Sequence, residues 1–225
     1  MYLDERDNTI ATRPDNSVKQ INDLLSGFAR FRATYFEKNG RQFDNLKRGQ
    51  DPRFMVIACS DSRTDPAILF DAAPGDLFVV RNVANLVPPY TSDTALHGVS
   101  SALEFGVRVL AVHHIIVLGH AHCAGIRALV TGSSGEFVSR WVEIADPARQ
   151  RILRTMPGAT TDQCAKACEK EAIAVSLDNL MTFPWIRDPV DAGQLFLHGW
   201  YFEMETGTMS ELDQISRIFT ERPSN

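Results

Sequence analysis

The chain has 225 residues, 23 Lys and Arg against 28 Asp and Glu for a net charge of −5, with 44% hydrophobic and 23% charged residues. That is the profile of a soluble globular protein, and it excludes disordered, collagen-like and coiled-coil classes. At roughly 150 residues per domain the length allows one sizeable α/β domain or two small ones, and a mildly acidic chain without a Lys/Arg cluster is not expected to bind nucleic acid.

In chain order, residues 1–16 form a polar tail. Its Asp4, Glu5 and Asp7 depart from the basic-then-apolar pattern of a secretory leader, so none is expected. From Ser17, a suitable cap, Val18, Ile21, Leu24, Leu25, Phe28 and Phe31 recur at three- and four-residue steps, which predicts a helical arm over about residues 17–48. Such an arm packs on another part of the sheet or on a partner subunit, and the pattern fits both. Residues 54–58, Phe-Met-Val-Ile-Ala, read as a strand buried on both faces and end at Cys59. Thr64-Asp65-Pro66 then starts a short helix that Pro74-Gly75 stops. A second strand is expected at 77–80 and a helix at 93–110. The third strand, 115–118, ends at Gly119-His120. The most apolar window, 107–118, is interrupted by Arg108, His113 and His114 and falls short of the ~20 residues that span a bilayer. Helices follow at 125–130, 136–144 and 162–181, then a fourth strand at 194–203 and a short fifth at 208–212. Strands alternating with helices imply an α/β class: one domain over 1–225, with a mostly parallel central sheet of four to five strands flanked by helices.

The four cysteines, Cys59, Cys123, Cys164 and Cys168, lack the number and spacing of a disulfide scaffold. Reduced thiols point to a cytoplasmic protein and to metal or redox chemistry. Two strands end at candidate ligands, Cys59 and His120, and Cys123 follows His120 by three residues. In open α/β sheets ligands gather at the carboxyl ends of strands, so both ends can face one crevice. Two thiolates and an imidazole suit Zn2+ and leave a fourth position open, as in a catalytic site. The alternative is that Cys59 only packs in the core. Asp61 and Arg63 follow Cys59 in the turn; they hold a metal-bound water, or Asp61 is itself a fourth ligand, or the two are an ordinary exposed ion pair. Three residues without a glycine between Cys59 and Arg63 are too few for a phosphate-cradling loop. Cys164 and Cys168, four apart on one helix face, are a second metal pair or free thiols. His122 and His97 are proton relays or solvent-facing residues, His113 and His114 junction residues, and Trp141, Trp185 and Trp200 packing residues.

Taken together, Cys59-Ser60-Asp61-Ser62-Arg63, the run from Pro74-Gly75-Asp76-Leu77-Phe78 through Arg81-Asn82-Val83-Ala84-Asn85 to Pro88-Pro89-Tyr90, and Gly119-His120-Ala121-His122-Cys123 resemble the β-class carbonic anhydrases. The likeness extends to Cys168-Glu169-Lys170-Glu171-Ala172 and Leu197-His198-Gly199-Trp200, covering about residues 50–212. It implies reversible hydration of CO2 to bicarbonate and a proton by zinc-bound hydroxide. One Zn2+ per chain is implied on Cys59, His120 and Cys123, with Asp61 and Arg63 as the catalytic dyad. Gln50 matches a substrate-contacting glutamine of the plant-like subclass, and Phe78 and Val83 match the lining of the CO2 pocket. Val56 stands where the bicarbonate-inhibited subclass has tryptophan, so the chain looks plant-like. Phe105 replaces a usual tyrosine of the substrate pocket, and Ala124 replaces a usual glycine after the second cysteine. The resemblance also implies a homodimer or dimer-based oligomer, with the arm exchanged and Gln50 and Phe105 reaching a neighbour's site.

The standard illustration of zinc activating water, about pKa 7, is a carbonic anhydrase with three neutral histidines. Two thiolates here cancel the formal charge of zinc, so activity is expected to rise through the alkaline range, with Asp61 moving onto the metal at low pH. A hydrolase of CS2 or carbonyl sulfide, and a zinc-binding regulatory protein without turnover, are the competing readings.

Overall fold

The computed structural model describes residues 20–38, 43–44, 46–93, 95–132 and 135–223. The chain divides into two compact units, Met1–Gly49 and Gln50–Asn225.

In the first unit helix α1 spans Ile21–Arg32 and runs into a π-helical turn, Ala33–Lys38. Its first turn is closed by the Gln20 amide donating to the Asp23 carboxylate at 2.8 Å. The expected cap, Ser17, and Val18 lie outside the described residues. Phe31, Tyr35, Phe36 and Phe43 form an aromatic knot, with the Phe36 and Phe43 rings stacked at 4.4 Å and Phe31 4.8 Å from Tyr35.

The second unit is built on a six-stranded sheet in the order β2-β1-β3-β4-β5-β6. The strands are β1 (Phe54–Cys59), β2 (Leu77–Asn82), β3 (His114–His120), β4 (Phe196–Glu203), β5 (Thr208–Leu212) and β6 (Phe219–Arg222). The first four are parallel; β5 and β6 add antiparallel. The expectation of four to five strands is therefore one short. The missed strand, β6, is a four-residue edge strand with mostly exposed side chains, so it carries no apolar alternation to read.

Helix α2 (Pro66–Leu69) starts as expected, with the Asp65 carboxylate accepting from the Ala67 amide at 2.9 Å and Pro66 in the first turn. The helix expected at 93–110 begins only at Gly98: α3 spans Gly98–Glu104 and continues as a π-helical turn, Phe105–Val109. Asp93 accepts from the Ala95 amide and pairs with the His97 ring, a local turn that competes with helix. Helix α4 (Ala124–Thr131) is as expected, but the segment expected at 136–144 holds only α5 (Val138–Val142) and a 3-10 turn. Two helices escaped the reading: α6 (Asp146–Thr155), whose arginines hide its few apolar positions, and α8 (Pro184–Asp191), which contains Pro189.

Helix α7 (Thr161–Leu180) is the spine of the unit. Thr160 caps it reciprocally with Gln163: the Gln163 amide donates to the Thr160 hydroxyl at 3.3 Å, and the Thr160 amide donates to the Gln163 side chain at 2.9 Å. Ile173, Leu177 and Leu180 enter a core with Met55, Ile57, Ile115, Val117 and Tyr201. Alternate residues of the same strands, Val56, Ala58, Ile116 and Leu118, face the other way against Leu69, Phe70, Trp200 and Phe202. Gly119 and Gly199 seat Ile173: a Cβ would lie 2.6 Å and 2.8 Å from its side chain. Burying that isoleucine contributes about 2 kcal/mol, and it draws α7 down onto the ends of β3 and β4. Among the described residues no helix is long and apolar enough to cross a membrane.

Candidate metal centre

The chain leaves β1 to form β2 on one side and returns to place β3 on the other, so the strand order reverses between β1 and β3. A crevice opens at such a reversal, beyond the carboxyl ends of the strands. In register Ala58 lies beside Leu118, which brings Cys59 and His120 to that crevice. Cys123 is the residue from which α4 departs.

These three side chains are 6%, 1% and 2% exposed, so any charge on them acts with little screening by water. One donor atom from each lies within 4.8 Å of the others, and the two sulfurs are 3.9 Å apart. His120 Nδ1 donates to the Ala121 carbonyl at 2.8 Å, which leaves Nε2 as the bare acceptor, buried and without a partner. An imidazole fixed in this tautomer by a backbone carbonyl is the usual dress of a metal-binding histidine. The donor set and the orphaned nitrogen fit Zn2+.

The two thiols titrate as a pair. The Cys123 thiol beside it holds Cys59 down to about 4, and the Cys59 thiolate in turn pushes Cys123 up. Burial disfavours protonation of His120, but the neighbouring Cys59 sulfur and the Ala121 carbonyl outweigh it and raise its pKa. The pocket thus concentrates negative charge where a cation belongs.

The turn after Cys59 carries Asp61 and Arg63. Arg63 Nε and Nη2 grip Asp61 Oδ1 and Oδ2 at 2.9 Å and 2.7 Å, and the Arg63 amide adds a third bond at 3.0 Å. That fork holds the Asp61 carboxyl well below the usual carboxylate range. Both oxygens are thereby committed to Arg63, and Asp61 stands outside the ligand trio. Arg63 is half exposed, so the pair adds little stability and its effect is orientation.

Two arginines organise this turn, and only one was expected. Arg81 on β2 donates Nε to the Cys59 carbonyl at 3.0 Å and Nη2 to the Asp61 carbonyl at 2.6 Å and the Thr64 carbonyl at 3.3 Å; its Nη1 reaches the Asp65 carboxylate at 3.2 Å. A guanidinium at the end of a half-buried strand was the available signal. Trp141, expected only to pack, donates its indole N–H to the Val83 carbonyl at 2.7 Å. That steadies a turn in which Ala84 and Asn85 have left-handed φ of +65° and +49°. Gly125 lets α4 approach this turn, since a Cβ there would lie 2.8 Å from Val83 and 2.9 Å from Ala84.

The expected substrate residues do not all join this group. Val83 meets the start of α4, as the Gly125 contact requires. Phe78 pairs with Met55, four rows before Cys59 and about 13 Å along the strand, with its ring 5.9 Å from that of Phe105. Gln50 is exposed ahead of β1. His122 is exposed, has φ +56°, and turns its ring to Glu205 at 3.1 Å. The ring of His97 is taken by Asp93 at 2.6 Å. Cys164 and Cys168 are buried and line a small cavity with Val130, Arg149 and Ile152. Burial pushes Cys168 up to about 12, so it is an inert thiol.

The family model described as carbonic anhydrase matches residues 54–209, which is most of the chain and contains Cys59, His120 and Cys123. The chain belongs to the β-carbonic anhydrases. It is 37% identical over 207 residues to β carbonic anhydrase 3 of Arabidopsis thaliana, covering 88% of this chain and 80% of that one, in keeping with a plant-like member. The solved β-carbonic anhydrase CcaA superposes with a TM-score of 0.85 at 32% identity, covering 91% and 92% of the two chains. A structure described as one of two tetrameric β-carbonic anhydrases of Sordaria macrospora gives a TM-score of 0.76 at 27% identity over 88% and 98%. As a carbonic anhydrase, this enzyme interconverts CO2 and bicarbonate.

Proposed function

We propose that this carbonic anhydrase works with one Zn2+ held by Cys59, His120 and Cys123, and that Asp61 and Arg63 orient the reaction. The observation that carries the reading is the buried His120 Nε2, without a partner and facing two sulfurs. When bound, the metal supplies Lewis acidity and an activated water as nucleophile. Asp61, pinned by the Arg63 fork, keeps a lone pair free on Oδ2, which has a single partner; there it accepts a hydrogen bond from the nucleophile and aims it at the carbon of CO2. The outward N–H of Arg63 holds the oxygen that becomes anionic as bicarbonate forms. At low pH, Asp61 would be the residue able to leave Arg63 and serve as a fourth ligand, closing the site.

CO2 is apolar, so its approach calls for apolar walls. Val83 supplies one beside the metal turn. We assign Phe78, Phe105 and Gln50 to a site completed across a dimer: within one chain Phe78 lies far along the strand from Cys59 with the Phe105 ring beside it, and the Sordaria structures described as tetrameric support an oligomer. The unit Gln50–Asn225 is the catalytic domain in this reading and Met1–Gly49 its arm. Four reduced thiols favour a cytoplasmic setting.

The test is zinc content paired with stopped-flow CO2 hydration. Stoichiometric zinc in the wild type, lost with activity in Cys123→Ser, supports the assignment. Stoichiometric zinc without hydration at about pH 8.5 transfers it to a sulfur analogue of CO2 or to a regulatory role. A fully active monomer in gel filtration refutes the shared site.

A further inference from the structure

We propose that Glu169 and Tyr201 are positioning residues of the metal centre, acting on Cys123 through its backbone; the proposal rests on the zinc assignment above. Glu169 lies on α7 and is 5% exposed, in a helix whose neighbouring positions are Ala165, Cys168, Ala172 and Ile173. A carboxylate buried in such company costs several kcal/mol unless it is well partnered.

Its two oxygens each have one partner, and both lead to the site. Oε1 accepts from the Cys123 amide at 3.0 Å; Oε2 accepts from the Tyr201 hydroxyl at 2.8 Å. Tyr201 is 1% exposed and sits on β4 beside Gly119, the residue before His120. The Lys170 ammonium lies 4.8 Å from the centre of its ring, a cation–π contact that helps to fix the tyrosine.

The peptide bond between His122 and Cys123 is held at both ends. Its carbonyl accepts from Arg63 Nη2 at 3.1 Å, and its N–H donates to Glu169. One peptide plane therefore links the Asp61–Arg63 dyad to the Glu169–Tyr201 pair, with a metal ligand as its next side chain. The clamp matters because His122 is in the left-handed region, which a non-glycine residue keeps only when its surroundings enforce it. The Cys123 amide is also an entry donor of α4, whose cap makes no side-chain hydrogen bond of its own. Without Glu169 that N–H is left buried and unpaired, the peptide can rotate, and the Cys123 sulfur loses its fixed place beside Cys59.

The experiment follows zinc transfer from the loaded full-length enzyme to a chromogenic chelator, with circular dichroism as the check on folding. Glu169→Ala is expected to release zinc about 10- to 100-fold faster than wild type. Glu169→Gln, whose amide oxygen still accepts from Cys123 while its NH2 faces Tyr201, restores most of the retention. Tyr201→Phe gives a smaller acceleration, and adding it to Glu169→Ala adds nothing further, because both act through one hydrogen-bond chain. Release from folded Glu169→Ala within about twofold of wild type overturns the proposal, as does a Gln variant as leaky as the Ala variant. Should Glu169→Ala fail to fold, Tyr201→Phe decides, and unchanged release there overturns it. A wild type that takes up no zinc overturns the metal assignment itself, an outcome distinct from a zinc-tight wild type with unchanged variants.

Discussion

Strand β3 carries a histidine at each end, and the two have opposite fates. His114, at the amino end, is stacked between Phe54 and Phe196 at 5.2 Å and 5.4 Å, because the register sets these three residues side by side on β1, β3 and β4. Its Nδ1 is taken by His198 Nε2 at 3.1 Å, His198 continues to Glu211 at 3.2 Å, and Glu211 pairs with Arg222. His120, at the carboxyl end, pairs in register with Phe202 of β4, but its ring nitrogen Nε2 has no hydrogen-bond partner and two sulfurs lie beside it. Binding capacity is thus what remains after local hydrogen bonds are satisfied. Aligned rings at the strand starts satisfy one histidine, whereas the crevice at the strand ends leaves the other open.

The largest test of this contrast is paired substitution. His120→Ala should strip zinc and reduce CO2 hydration to background, whereas His114→Ala should keep the metal; equal zinc loss in both would break the comparison. Next in size, Asp61→Asn should retain zinc by metal analysis yet lower kcat/KM about 10²-fold, since the fork to Arg63 loses its charge and the acceptor its strength. Gly119→Ala probes the seat beneath the site: a Cβ 2.6 Å from Ile173 should cost about 1–3 kcal/mol, with Tm falling by roughly 2–4 °C per kcal/mol.

The smallest effect is a pH slope from the other end of the strand. Burial and the neighbouring charges of His198, His113 and Arg53 lower the His114 pKa from its ordinary 6.5. The unfolded chain then binds the proton more readily than the folded one. Stability should be full above the ordinary value and decline as pH falls toward the depressed one. Thermal melts from about pH 8 to about pH 5.5 should show this decline, and His114→Phe should flatten it; an unchanged slope would assign the titration to another group.

The elements most legible in the sequence were those with their own local signature. β1 and β3 are continuous apolar runs because both faces are covered, and Asp65-Pro66 announces α2 through an N-cap and a first-turn proline. The candidate ligands Cys59, His120 and Cys123 stood out because strand ends and a three-residue step are short-range features. β6, α6 and α8 were illegible: an exposed edge strand, an arginine-rich helix and a proline-containing helix take their stability from neighbours.

By itself, then, the sequence determined the chemistry on offer: two thiols, an imidazole, and an Asp–Arg pair at the ends of buried strands. Only the tertiary structure decided how those groups are held. The reversal of strand order brought Cys59 to His120, Arg81 gathered the carbonyls of the Cys59 turn from across the sheet, and Glu169 reached the Cys123 amide from α7. These partners are separated by tens of residues, and packing, which no local pattern encodes, sets the distances between them. The same packing placed Phe78, with the Phe105 ring beside it, four rows along the strand from Cys59, where residue identity alone gave no hint of separation.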